Sequence, residues 1–206
     1  MTSSADLLPD DLPADDLPAY AGIDLAAVRL VRTAQDAEAA LAALMACDTI
    51  GFDTESKPTF AKGEKSTGPH LVQLGTEDLV FLFQTATPAG CALALTVLAP
   101  VLESNAILKV GFGLGDDVRR LKSKFGIELR NVLDLSTALR RRGERNPLGA
   151  RSAVERFFGQ RLQKSKRITT TNWALPNLSD KQLQYAADDA QAALRVYRRW
   201  RENPAG

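Results

Sequence analysis

The chain has few of the side chains that most often build zinc centres or nucleophile triads: one histidine, His70, and two cysteines, Cys47 and Cys91, in 206 residues. A single histidine excludes a zinc site with several histidines and argues against a Ser-His-Asp arrangement. The cysteines lack CxxC spacing and stand in apolar surroundings, which is typical of buried structural thiols in a reducing compartment. A basic-then-apolar leader and an apolar run of eighteen residues are both missing, so we expect a soluble, cytoplasmic protein without a membrane partner.

The first 25 residues lack lysine and arginine, although they contain six aspartates. The remaining residues carry 26 basic and 19 acidic side chains, and their net charge of +7 makes nucleic acid a plausible partner. The stretch PDDLPADDLPAY repeats itself, and its prolines oppose regular helices and strands. We expect a disordered acidic tail over residues 1–22, whose apolar side chains could dock on a protein partner, and one domain over residues 23–206.

Apolar patterning predicts the elements of that domain. Strand-like runs occur at VRLVRTA, TIGFDTES, HLVQLGT, LVFLFQ, AILKVG and NVLDL. Helical composition and spacing occur at AQDAEAALAALMAC, CALALTVLAPVLES, DDVRRLKSKFG and, with a break, from Leu148 to the end. Ser179 and Gln182 form a capping box at the start of the last helix. A meander, then alternating strands and helices, then helices, predict an α/β fold with a mixed five- to six-stranded sheet flanked by helices.

Two acids, Asp53 and Glu55, lie two positions apart on the run TIGFDTES. Side chains two apart in a strand point to the same face of a sheet, so the two carboxylates project together. An isolated carboxylate is costly to bury unless a cation compensates it. An alternative stays open at this point: the strand could bury Phe52 and turn both acids toward solvent, where they need no cation.

Further acids fall on helix-like runs. Asp117 follows a glycine-rich turn, directly after Asp116, where a helix dipole favours an acid as a cap. Tyr185 and Asp189 are four apart on the last helix and share a face, whereas Asp188 is rotated by about 100° and is the weaker ligand candidate. Divalent Mg²⁺ and Mn²⁺ prefer oxygen ligands, and two such ions about 3.5–4 Å apart can activate a water and stabilise a leaving oxygen. The four candidate ligands are Asp53, Glu55, Asp117 and Asp189.

In this order the motifs resemble the DEDD superfamily of 3′→5′ exonucleases, specifically its tyrosine branch. The resemblance covers roughly residues 27–200 and rests on GFDTE with a downstream VQL run, VGFGLGDD, NVLDL and SKRITTTNWALPNLSDKQLQYAADDA. The motifs look most like those of Werner-type exonuclease domains and, more distantly, those of ribonuclease D. The resemblance implies a ribonuclease H-like fold for the domain.

It also implies a hydrolase that releases nucleoside monophosphates from the 3′ end of DNA or RNA. Carried onto this chain, the family pattern makes Asp53, Glu55, Asp117 and Asp189 the ligands of two Mg²⁺ or Mn²⁺ ions. Tyr185 is then the catalytic residue that orients the attacking water. In the sister branch a histidine base stands five positions before the last aspartate, where this chain has Gln184, so the resemblance is to the tyrosine type.

A basic, hydroxyl-rich loop precedes the last helix. Phosphate contacts are expected there from Lys164, Lys166 and Arg167. Trp173 could stack on a base, although a buried tryptophan beside solvated charges explains the pattern equally well. Leu71, on the strand expected to pair with that of Asp53, could wedge against a terminal base. The arginine-rich stretch 140–145 is either a solvated helix end or a phosphate site.

Two alternatives to an active nuclease remain open. The first is an inactive relative that only binds nucleic acid, which requires the loss of a ligand, and none of the four acids is missing. The second is an interaction module whose acidic tail recruits a partner. It leaves four carboxylates that repel one another without a role.

Overall fold

The computed structural model describes residues 17–59, 63–64, 66–163 and 165–203. Its strands are β1 (Val28–Leu30), β2 (Thr49–Glu55), β3 (Leu71–Gly75), β4 (Val80–Gln84), β5 (Leu108–Gly111) and β6 (Val132–Asp134). They form one sheet in the order β1-β4-β3-β2-β5-β6. The central meander β2-β3-β4 is antiparallel, whereas β1 pairs parallel with β4, β5 with β2 and β6 with β5. The prediction of a mixed sheet is confirmed.

Seven α-helices flank the sheet in the described residues. They are α1 (Ala34–Met45), α2 (Pro88–Leu102), α3 (Gly115–Phe125), α4 (Leu135–Ala138), α5 (Ala150–Phe158), α6 (Lys166–Thr169) and α7 (Asp180–Glu202). The predicted capping box of Ser179 and Gln182 is present at the start of α7. Gly126 ends α3 in the left-handed conformation, with φ at 71°. None of the helices in the described ranges is both long and apolar enough to cross a membrane.

The two faces of the sheet bury different clusters. Alternation along β2 and β3 sends Phe52 and Val72 toward α1 and α2, where they pack with Leu44 and Leu98. The opposite face packs against α7, with Leu71 beside the small alanine side chains of that helix. The sheet is therefore covered on both sides, and residues of β2 that face away from Phe52 meet α7 rather than water.

Helix α7 lies directly on β2. A Cβ atom at Gly51 would stand 1.9 Å from the carbonyl oxygen of Ala190, so main chain contacts main chain at this point. Near the far end of the helix, the guanidinium of Arg198 donates to Asp48 at 2.6 Å and to Glu77 at 2.8 Å. Both contacts fix α7 along the strand that carries two of the candidate acids.

Residues 17–22, which the sequence analysis assigned to the tail, instead pack against the domain. Leu17 and Tyr20 are buried, and the backbone N–H of Tyr20 donates to the carbonyl of Arg161 at 2.9 Å. The N–H of Arg161 in turn donates to the carbonyl of Pro18 at 2.8 Å. Apolar side chains in this segment thus dock on the chain's own domain, and residues 1–16 of the predicted tail lie outside the described residues.

Candidate active site

Three of the predicted acids meet between β2 and α7. Carboxylate oxygens of Asp53, Glu55 and Asp189 all lie within 4.8 Å of one another. Phe52 is fully buried on the other face of β2, yet the two acids of β2 are not left in solvent, because α7 covers their face. Glu55 is 9% exposed and Asp189 6% exposed. Carboxylates this close repel one another, and a bound cation would offset that repulsion.

The fourth acid, Asp117, lies beside this group and not within it. Its carboxylate accepts a hydrogen bond from the hydroxyl of Thr54, the residue between Asp53 and Glu55 on β2. Alternation turns the side chain of Thr54 away from the face that the two acids share. The structure therefore corrects the prediction of four converging carboxylates to three with one adjacent. Burial raises the pKa of the Asp117 carboxyl, against the opposing effects of Thr54 and Arg120.

An acid outside the predicted set positions Asp117. The carboxylate of Asp134, at the end of β6, accepts the backbone N–H groups of Gly113 at 2.9 Å and Leu114 at 3.0 Å. These residues form the turn that leads from β5 into α3, and Gly113 has a φ of 69°. The motif NVLDL predicts a strand, which is β6, and its aspartate also holds the neighbouring turn.

Tyr185 stands one helical turn before Asp189 on α7, as the spacing predicts. Its hydroxyl lies 3.1 Å from Oγ1 of Thr169, the last residue of α6. Its ring packs against Trp173 with a centroid distance of 6.1 Å. Trp173 is fully buried, and its indole N–H donates to the carbonyl of Thr169 at 3.3 Å. Of the two readings of Trp173, the buried tryptophan is the one the structure has and stacking on a base is not, because the side chain packs on the tyrosine and has no exposed surface.

The remaining predicted substrate contacts have different outcomes. Leu71 is fully buried in the cluster under α7, so the wedge against a terminal base is also wrong. Arg167 is exposed and its contact with phosphate stays a prediction. Lys164 and the side chain of Lys166 lie outside the described residues. The arginines of the stretch 140–145 are exposed, which agrees with either of the two readings given above.

Asp188 is separated from the carboxylate group, as its rotation on the helix predicts. Its Oδ1 accepts the backbone N–H of Ile23 at 3.0 Å and the side-chain amide of Gln184 at 2.9 Å. Burial raises the pKa of the Asp188 carboxyl to about 6, and these two hydrogen bonds act against that rise. Asp188 thus belongs to a different set of contacts from its neighbour Asp189.

The donor chemistry of the group suits a hard divalent cation. In the described part of the chain only carboxylate oxygens enter it, with no sulfur or imidazole. Asp53 and Asp189 also line a small cavity of about 90 Å³ together with Phe112 and Ala150. Beside Asp53, across the β2-β3 pair, Gln73 is fully buried and its amide has no hydrogen-bond partner among the described residues. A hydrated cation would fit the small cavity and would give the buried amide of Gln73 a hydrogen-bond partner.

A mixed sheet of this order, with acids on a central strand and on a covering helix, defines the class of ribonuclease H-like nucleases. Within that class, a family model described as 3′-5′ exonuclease matches residues 28–203. The chain therefore belongs to this family of 3′-5′ exonucleases, and the resemblance found in the sequence is confirmed.

Relatives and solved structures agree with this assignment. A 3′-5′ exonuclease of Arabidopsis thaliana is 30% identical over 160 residues, which cover 75% of this chain and 53% of the relative. The bifunctional 3′-5′ exonuclease/ATP-dependent helicase WRN of Mus musculus is 28% identical over 74% of this chain and 11% of its own length. The EXO domain of Aedes aegypti Nibbler superposes with a TM-score of 0.72 at 25% identity, covering 87% of this chain and 89% of that domain. The chain thus spans about half or less of these two curated relatives.

Proposed function

We propose that the protein hydrolyses phosphodiester bonds at the 3′ end of a nucleic acid and releases nucleoside monophosphates, with Mg²⁺ or Mn²⁺ as the metal. The observation that supports this most is the approach of Asp53, Glu55 and Asp189 to within 4.8 Å in a chain of the 3′-5′ exonuclease family. Such a group is held together at neutral pH when divalent cations offset its mutual repulsion.

Divalent ions at this site would polarise the scissile phosphate and lower the pKa of a bound water. The acids of β2 and Asp189 of α7 would hold them, and Asp117 would join from α3 once its hydrogen bond with Thr54 rearranges. The hydroxyl of Tyr185 would orient the attacking water. Thr169 fixes that hydroxyl before any substrate binds, which lowers the cost of reaching the reactive geometry.

The nucleic-acid backbone would approach along α6 and the start of α7. There a cavity of about 390 Å³ is lined by Arg167 and Lys181 together with the hydroxyl residues Ser165, Thr171 and Ser179. Lys181 stands one turn before Tyr185 on α7. Cations and hydroxyls contact phosphates without reading sequence, so we propose that this surface binds DNA and RNA strands alike.

The test uses DNA and RNA oligonucleotides of matched sequence with a 5′ label, incubated with the full chain in Mg²⁺, in Mn²⁺ or in chelator. We expect stepwise shortening from the 3′ end that requires the metal. Asp53→Ala should reduce the rate by at least about 10³-fold while leaving thermal stability unchanged or higher, because it removes a ligand and relieves repulsion. Glu38→Ala, which changes an exposed acid of α1, is the matched control.

Two results would contradict the proposal. One is shortening by the Asp53→Ala variant at the parental rate, which would place the chemistry elsewhere. The other is tight binding of both oligonucleotides without shortening in either metal, which is the behaviour of an inactive nucleic-acid-binding relative. The ratio of the DNA and RNA rates in the parent then defines the substrate class.

A further inference from the structure

Residues 17–24 form a segment that we term the N-terminal strap. It lies before residue 28, where the match to the family model begins, so the family assignment says nothing about it. The strap contacts two elements: the side of α7 that carries Asp188, and the chain that follows α5. The second element precedes α6, whose exposed Arg167 is one of the predicted phosphate contacts.

Three side chains of α7 hold the strap. Asp188 accepts the backbone N–H of Ile23 at 3.0 Å, and the amide of Gln184 donates to the carbonyl of Ile23 at 2.7 Å. About two turns after Asp188, the guanidinium of Arg195 donates to the carbonyl of Ala21 at 3.1 Å and lies 5.6 Å from the ring centroid of Tyr20. The strap thus has its own row of partners on α7, separate from the row that faces β2.

The other edge of the strap pairs with the chain after α5. Tyr20 and Arg161 are linked by backbone hydrogen bonding at 2.9 Å, and Arg161 donates back to Pro18 at 2.8 Å. The N–H of Ala21 donates to the side chain of Gln160 at 3.2 Å. The ring of Tyr20 packs against Phe158 with a centroid distance of 6.2 Å. Residues 158–161 are therefore tied to α7 through the strap.

We propose that the N-terminal strap is a positioning element for α6 and its exposed Arg167. By fixing residues 158–161 to α7, it sets where the chain enters α6. Asp188 is the positioning residue on α7, acting through the backbone of Ile23. The consequence for substrate binding rests on the proposed function, whereas the hold on the start of α6 does not.

One substitution should release the strap although it replaces no residue of α7. A Cβ atom at Gly22 would stand 2.0 Å from Oδ1 of Asp188, so Gly22→Ala must displace that carboxylate from Ile23. A Cβ atom at Gly149 would meet nothing within 4 Å, which makes Gly149→Ala the matched control. Asp188→Asn keeps an oxygen that can accept the N–H of Ile23, and Asp188→Ala does not.

The experiment measures limited trypsin cleavage in the full chain, with sites mapped by mass spectrometry, alongside kcat and KM for an oligonucleotide. We expect Gly22→Ala and Asp188→Ala to raise cleavage after Lys164, Lys166 and Arg167 about fivefold or more, with little change in the stretch 140–145. KM should rise by a similar factor and kcat should change by less than about twofold. Asp188→Asn and Gly149→Ala should match the parent.

Three results would overturn the proposal. The first is unchanged cleavage after residues 164–167 in Gly22→Ala. The second is an equal rise in the stretch 140–145, which would show general loosening of the domain. The third is equal damage from Asp188→Asn and Asp188→Ala, which would assign Asp188 a role through its charge. Absence of hydrolysis by the parent itself would overturn the proposed function, and the cleavage comparison would still decide the role of the strap.

Discussion

Adjacent aspartates on α7 end in opposite surroundings. Asp189 meets the carboxylates of Asp53 and Glu55, whereas Asp188 meets the N–H groups of Ile23 and Gln184. The two side chains differ by about 100° of helical rotation. Two donors within the protein satisfy Asp188, whereas Asp189 lies within 4.8 Å of two other carboxylates. The neighbours that a fold supplies, and not the residue type, decide which acid belongs to the candidate metal site.

The largest effect is expected from comparing the same substitution at the two positions. Asp189→Asn should lower hydrolysis by on the order of 10³-fold and weaken Mn²⁺ binding measured by calorimetry, because a neutral amide is a poor ligand for a hard cation. Asp188→Asn should stay within about twofold of the parent in both measurements. Similar losses at the two positions would remove the distinction between the faces of α7.

A smaller effect is expected at the residue that shares the face of Asp189. Tyr185→Phe should lower kcat by about 10²-fold and leave KM within about twofold, since the hydroxyl acts on the water and not on the bound strand. Thr169→Val removes the partner that fixes this hydroxyl and should lower kcat less, by about threefold to tenfold. A matching rise in KM for Tyr185→Phe would point to contact with a base instead.

Lys109 extends the comparison to a buried cation. Its ammonium donates to the carbonyls of Ser104 at 2.7 Å and Ile107 at 2.9 Å, and burial lowers its pKa from 10.5 to about 8. Between pH 8 and pH 10.5 the folded chain binds fewer protons here than the unfolded chain, so this group makes the free energy of unfolding rise with pH. Below pH 8 the ammonium is charged in both states, so this group no longer makes the free energy of unfolding depend on pH, and the full cost of burying the charge remains.

The Lys109→Met variant, which buries no charge, should be more stable than the parent at pH 7. This difference in the free energy of unfolding should become smaller as the pH rises to 10. The expected change in the difference is on the order of 1 kcal/mol, because hydrogen bonds to the carbonyls offset part of the cost of burial. Chemical denaturation at the two pH values measures it. Parallel pH profiles for parent and variant would mean that the ammonium is as well solvated in the fold as in the unfolded chain.

Local sequence patterns were sufficient to predict the sheet and the strand that carries two of the site's acids. Alternation on β2 places Asp53 and Glu55 on one face, and the capping box at Ser179 fixes where α7 begins. From that start, the helical period determines that Asp189 faces differently from Asp188. These properties depend on neighbours within a few residues, which is why the sequence shows them.

Contacts between distant segments could not be predicted in this way. The aspartates and prolines near Leu17 and Tyr20 predict disorder, and their burial depends on Arg161 and Arg195, more than 130 residues away. The residues around Trp173 have the composition of an exposed loop, but this segment folds back over Tyr185. The position of Asp117 relative to the other acids likewise depends on how α3 meets β2, a distance that no spacing in the chain encodes.

The contact of Gly51 with Ala190 has a consequence for how such a protein can diverge. Because the main chain of β2 meets that of α7 there, the separation between the acid of α7 and those of β2 depends on one position remaining without a side chain. A single methyl group at residue 51 would push the helix outward. Sequence change is therefore cheaper at the exposed positions of α7 than at one glycine of β2 that takes no part in chemistry.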